Sequence, residues 1–202
     1  METKIDDLKH IRSMMERSSK FLSLSGFSGV SAGIIALIGA AIAYCIINNT
    51  FTILDSKLYD LIIVAAVVVI LAGSAGLFFS LRKAKKTGAK FWMPVTWQIL
   101  KDFSVPMCVG GIFCILLIYQ GSTRMVAAAM LIFYGLALIY AGARTYRDIK
   151  ILGACEVILG LLAGFFVFNG LFFWAIGFGV LHIVYGIVMY FKYEKGNKNQ
   201  KN

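Results

Sequence analysis

Acidic residues are scarce in this chain: 10 Asp and Glu stand against 20 Lys and Arg in 202 residues, and charged residues make up only 15%. A soluble domain carries about a quarter, so too little polar surface is available to keep a fold of this size in water. Histidine occurs only as His10 and His182, and proline only as Pro94 and Pro106. Two histidines, one of them in a polar N-terminal stretch, are too few for a dedicated zinc or haem site. The four cysteines, Cys45, Cys108, Cys114 and Cys155, lack C-x-x-C spacing and read as small buried apolar residues. No P-loop occurs, and Gly177-Phe178-Gly179 lacks the third glycine and the strand of a dinucleotide fingerprint. No cofactor or metal is therefore expected.

What the chain has in excess is apolar sequence, 59% hydrophobic with mean hydropathy +0.80. It is gathered into six runs near Phe21–Ile47, Leu58–Leu81, Val105–Gln120, Met125–Ala143, Ile151–Phe168 and Leu171–Phe191. Crossing roughly 30 Å of hydrocarbon takes about 20 mostly apolar helical residues, because the backbone must satisfy its own hydrogen bonds there. The reading is an all-α polytopic membrane protein of six helices, with residues 21–191 as the transmembrane domain. The third run is short when counted from Val105. Either it extends back through Pro106 as a kinked helix, or Pro106 sits in its first turn with Ser104 as cap and Phe91–Phe103 lies along the membrane. The second alternative is preferred.

Charge placement orients the spans. Residues 1–20, the second connection (Arg82, Lys83, Lys85, Lys86, Lys90, Lys101), the fourth (Arg144, Arg147, Lys150) and the tail hold 18 basic residues, against Lys57 and Arg124 on the other side. By the positive-inside rule both termini are cytoplasmic. The basic rim is read as facing anionic lipid, and a nucleic-acid partner is excluded for want of a folded basic reading element. Within residues 1–20, Thr3 and Asp6 fit a helix start, and Ile5, Leu8, Ile11 and Met15 share one face. This amphipathic helix suits either the inner leaflet or docking of a cytosolic protein or second copy. Residues 192–202 form a basic tail expected to be disordered.

Long basic connections alternate with short ones, which describes three helical hairpins. Gly111 and Gly121 are ten apart, as are Gly160 and Gly170, and each set is followed by a Tyr-Gly pair, Tyr134-Gly135 or Tyr185-Gly186. This favours parallel two-helix repeats over inverted three-helix ones. Gly26, Gly29, Gly33, Ala36 and Ala40 line one face of the first span, Gly153, Gly160 and Gly164 the fifth, and Gly179 and Gly186 the sixth. In lipid such faces are packing seams, since close van der Waals contact drives association there.

Two ionisable residues stand out within spans, Glu156 and His182. A charge at that depth costs about 2.5–3.5 kcal/mol, so it asks for a partner or a purpose. Both fall on the glycine-lined faces of their helices. If they meet, a carboxylate beside an imidazole suits binding or relay of a proton or cation, with Tyr134, Tyr140 and Tyr185 as hydroxyl donors. The alternative is structural: Glu156 reaching back to basic residues at the surface, and His182 bonding a backbone carbonyl. Gly26-Phe27-Ser28-Gly29 matches the G-x-S-G of rhomboid proteases and Gly29-Val30-Ser31-Ala32-Gly33 the G-x-S-x-G of hydrolases. The latter needs a strand-to-helix turn, and both overlap the small-residue seam, so no enzyme is expected.

The run Met14-Met15-Glu16-Arg17-Ser18-Ser19-Lys20-Phe21-Leu22-Ser23-Leu24-Ser25-Gly26, leading into the stripe from Gly29 to Ala40, resembles the opening of an uncharacterised family of small bacterial six-span inner-membrane proteins. The resemblance implies a bacterial inner-membrane location and assigns no catalytic or binding residue. The three-hairpin plan is similar in architecture to acid-resistance six-span membrane proteins. Two functions then compete. Movement or sensing of a small solute or ion predicts a water-accessible cavity reaching Glu156. A membrane interaction protein predicts an enclosed core and a partner lost on deleting Met1–Arg17.

Overall fold

The computed structural model describes residues 25–54, 56–88 and 91–195, and every regular element among them is helical. The amphipathic helix expected in residues 1–20 and the last residues of the tail, 196–202, lie outside the described residues. The chain forms α1 (Gly26–Ile47), α2 (Lys57–Thr87), α3 (Pro94–Tyr119), α4 (Val126–Ala141), α5 (Arg147–Phe165) and α6 (residues 170–195). The last is continuous but widened, with π-helical turns at Ala175–Leu181 and Tyr190–Lys195. Five helices, all but α5, are long and apolar enough to cross a membrane, α4 being counted with the tight turns at its two ends as Thr123–Arg144. With 19 residues, α5 carries Arg147, Asp148, Lys150 and Glu156.

The third run settles against the preferred alternative. The helix passes through Pro106 and begins at Pro94, so Phe91–Phe103 does not form a separate stretch and Ser104 caps nothing. Pro94 occupies the first helical position, where the missing N–H has no intrahelical use. Just before it, the Thr96 hydroxyl donates to the Phe91 carbonyl at 2.6 Å and accepts the Met93 N–H at 3.3 Å. These bonds fix the start twelve residues before Pro106, and a proline inside an apolar helix is tolerated where neighbours stabilise it.

Packing follows the glycines. On α1, Gly26, Gly29 and Gly33 press against α6. A Cβ on Gly33 would lie 2.5 Å from the Gly179 carbonyl oxygen, and one on Gly186 2.5 Å from that of Gly26. On α4 and α5, Gly135 and Gly153 oppose each other, and a Cβ on Gly160 would lie 2.6 Å from Ile132. Gly164 is different, with Ala128 and Met125 at an ordinary 3.9 Å. The Tyr-Gly pairs are thus equivalent in use, since Gly135 and Gly186 each carry the second helix of one hairpin onto the first helix of another. The resulting order is α2–α1–α6–α5–α4–α3, in which α2 and α3 are flanks packed mainly on α1 and α4. Few of their residues are buried, only Thr96 and Gly110 in α3. Cys108 on α3 is exposed, and Cys45, Cys114 and Cys155 are only partly covered, so none is the buried residue expected from sequence.

At the basic end the helices are clasped. The Glu194 carboxylate accepts the Gly26 N–H at 2.7 Å and the Ser25 hydroxyl at 3.2 Å, with Lys83 Nζ at 3.4 Å. A carboxylate at this helix start meets the positive end of its dipole. Nearby, Asp148 accepts from Lys192 at 2.9 Å and from the Tyr193 hydroxyl at 2.6 Å. Residues 192–195 therefore continue α6 rather than opening a disordered tail. Arg144 donates to Asp102 at 2.9 Å, tying the end of α4 to α3.

Candidate functional site

Glu156 and His182 meet in the centre of the bundle. Glu156 lies on the buried stripe of α5 with Leu152, Gly153, Gly160 and Ala163. His182 follows the π-helical segment of α6, on the side holding Gly179 and Gly186. His182 Nδ1 is 3.5 Å from Glu156 Oε1. Glu156 has no exposed surface and His182 has 6%.

The widened turn makes room for the carboxyl. Gly177, within that segment, packs so closely on Glu156 Oε2 that a Cβ there would collide with it and with Leu131. The Gly177 carbonyl turns toward the imidazole, 3.0 Å from His182 Nδ1. A carbonyl only accepts, so Nδ1 carries the hydrogen, and Nε2 accepts from the Tyr134 hydroxyl at 2.7 Å. Both imidazole nitrogens are satisfied. Neither Glu156 oxygen has a hydrogen-bond partner among the described residues, whereas buried carboxylates ordinarily hold several. π-Helical turns recur at functional sites, and here one frees a carbonyl and a glycine position at the point where the two ionisable groups approach.

Aromatic rings enclose the imidazole. Phe178 lies 4.9 Å from the Tyr134 ring and 6.0 Å from His182, Trp174 lies 5.1 Å from Phe178, and Phe103 of α3 stands edge-on to Tyr134 at 5.9 Å. Leu131 closes the floor with no exposed surface.

Of the three tyrosines expected as hydroxyl donors, only Tyr134 bonds to the pair. Tyr140 points outward with 62% exposure, and Tyr185 packs on Tyr146, Ile149 and Met189. Six residues turn a helix by about 240°, so Tyr134 and Tyr140 cannot both face α6. The serines of the G-x-S motifs donate within their own helix, Ser28 to the Ser25 carbonyl and Ser31 to that of Ser28. Among the described residues Glu156 pairs with no Lys or Arg of the basic end, and it has no exposed surface.

Sequence reasoning missed Asp60, near the start of α2. It too has no exposed surface, and its carboxylate accepts the N–H groups of Leu54 at 2.8 Å and Ile53 at 3.0 Å. An acid just inside an apolar run is its signal, but its donors are backbone groups of the preceding loop. Unlike Glu156, it is fully partnered and serves as a loop anchor. Among the described residues no three His, Cys, Asp or Glu side chains gather as a metal site. The chain matches no protein-family model, no curated protein and no solved structure.

Proposed function

We propose that this chain is a six-span protein of the bacterial inner membrane, both termini cytoplasmic, that moves or senses a small ion at the Glu156–His182 centre. The observation that carries the reading is a carboxyl 3.5 Å from an imidazole with neither of its oxygens hydrogen-bonded among the described residues. A charge held in such surroundings costs several kcal/mol and is retained where it serves an ion pathway or switch. The topology is supported by the hydrogen bond that the Gly26 N–H donates to Glu194, which sets the start of α1 beside the end of α6 and so favours an even number of crossings. It is supported also by the charges of α5, which apart from Glu156 lie in its first turn at the basic end.

Ion flux into proteoliposomes under an imposed pH or cation gradient tests this reading. Wild-type flux that disappears in a folded Glu156→Gln variant supports it. Equal flux in both removes Glu156 from the pathway.

The enclosure of Glu156 favours a second reading, in which the polar residues hold the bundle and the protein docks a cytosolic or membrane partner through its N-terminal segment and basic loops. Deleting residues 1–17 then abolishes partner capture and leaves the bundle intact.

A further inference from the structure

We infer that the ion taken up at this centre is the proton, delivered to Glu156 through the ring of His182. The inference rests on the ion-responsive reading above and names its ligand. Space decides first. Gly177 touches the carboxyl so closely that not even a methyl group fits beside Oε2, and Glu156 has no exposed surface, so a hydrated ion has no place there.

Donor chemistry decides next. Hard metal cations take six or more oxygens. Among the described residues neither Glu156 oxygen has a hydrogen-bond partner, and the Gly177 carbonyl beside the pair already accepts from His182. Held by that carbonyl, His182 presents an N–H rather than a lone pair on the side of Glu156, which repels a metal ion and suits proton transfer.

The remaining groups leave the transfer uncompensated by other charges. From α4 the pair meets Tyr134; on α6 itself, Tyr185 lies one turn from His182; on α5, Cys155 adjoins Glu156. α1 holds no Asp, Glu, His, Lys or Arg and meets His182 through Gly29 against its carbonyl. On α3, Phe103 covers Tyr134, while Asp102 pairs with Arg144 at the basic end beside the solvent-exposed Lys101.

The step is a relay across the ring. A proton arriving at Nε2 forms the imidazolium as the Tyr134 hydroxyl turns to accept from it. The N–H bond at Nδ1 then breaks, its electron pair staying on the ring, and an O–H bond forms on Glu156 Oε1. One proton has been bound, the carboxyl is neutral, the ring is neutral in its other tautomer, and the Gly177 carbonyl has lost its side-chain donor. That carbonyl lies in the π-helical turn, so proton uptake is felt by the backbone of α6.

Infrared and nitrogen-15 magnetic resonance on the full chain in phosphatidylethanolamine–phosphatidylglycerol vesicles test this. Carboxyl-labelled glutamate separates the four glutamates from the six aspartates, and a His10→Gln background leaves one imidazole. On acidification a protonated glutamate band absent from Glu156→Gln appears, and the His182 hydrogen moves from Nδ1 to Nε2 with the same midpoint. Replacing sodium by potassium or choline leaves that midpoint unchanged. Should Glu156→Gln not fold, Glu156→Asp serves, because it moves the band out of the labelled glutamate set.

A midpoint that shifts with sodium or potassium overturns the inference in favour of a metal cation, and a Glu156 band that titrates with no change in the His182 tautomer overturns the relay. The two levels of interpretation separate cleanly. Sodium-driven flux with a sodium-shifted midpoint retains ion movement and rejects the proton, whereas titration as expected without flux retains the proton and rejects movement.

Discussion

Gly135 and Gly153 face each other reciprocally, a Cβ on either falling 2.6 Å from the carbonyl oxygen of the other. The backbones of α4 and α5 thus touch at the point that sets Tyr134 and Glu156, one residue before Gly135 and three after Gly153, at the same level of the bundle. In lipid this contact is a main source of helix association.

Gly135→Val should therefore lower stability in detergent or lipid by about 1–3 kcal/mol through overpacking and displace Tyr134 from His182. Gly73→Ala, at a position with nothing within 4 Å, should change stability by less than ~0.5 kcal/mol. Thermal unfolding of the two variants checks this, and comparable losses would contradict the assigned seam.

Asp60 is the anchor of the loop before α2. Asp60→Ala leaves the Ile53 and Leu54 N–H groups without an acceptor, for a loss of about 1–3 kcal/mol. Hydrogen exchange should rise at those two amides before any other. Unchanged protection there would show that the carboxylate is not their acceptor in solution.

The basic-end clasp carries a defined pH dependence. Burial raises the Asp148 carboxyl, but the Tyr193 hydroxyl and Lys192 ammonium outweigh it and hold it below its ordinary 3.8. A carboxyl depressed by folding contributes stability that is complete above its unfolded value and is lost as the pH falls below it. Melting temperature should drop on acidification through 3.8 less steeply in Asp148→Asn than in the wild type. Parallel slopes would remove this clasp from the acid response.

Pro106 lies within α3 and withholds a hydrogen bond from the Asp102 carbonyl. Pro106→Ala should restore it and leave stability unchanged or higher, which thermal unfolding checks. A large loss of stability would mean that the missing hydrogen bond at Pro106 is needed to seat Phe103 on Tyr134.

Long apolar runs made the five membrane-length helices legible, and the face rule set Glu156 and His182 on the glycine-lined sides of their helices while leaving open whether they meet. Helical periodicity reveals which residues share a stripe, and the stripes here are marked by glycine. It does not reveal how a helix rotates against its neighbours, so Tyr134, Tyr140 and Tyr185 were equal candidates until the Gly135–Gly153 contact fixed α4 and the packing of Tyr185 on Ile149 and Met189 fixed α6. Pro106 was misread because a proline stop signal dominates locally, whereas the helix start is fixed twelve residues earlier by Thr96 and Pro94. Asp60 and Glu194 escaped notice for a common reason: each accepts backbone N–H groups from a distant or irregular segment, and such donors leave no residue-type signature.

The most direct test of the central claim is flux through the Glu156–His182 centre in sealed proteoliposomes under an imposed pH or cation gradient, wild type beside Glu156→Gln, with the variant's helicity and melting verified. The account predicts gradient-driven movement in the wild type that is lost in the variant. Equal movement in both would contradict it, and none in either under every gradient would reject movement in favour of sensing.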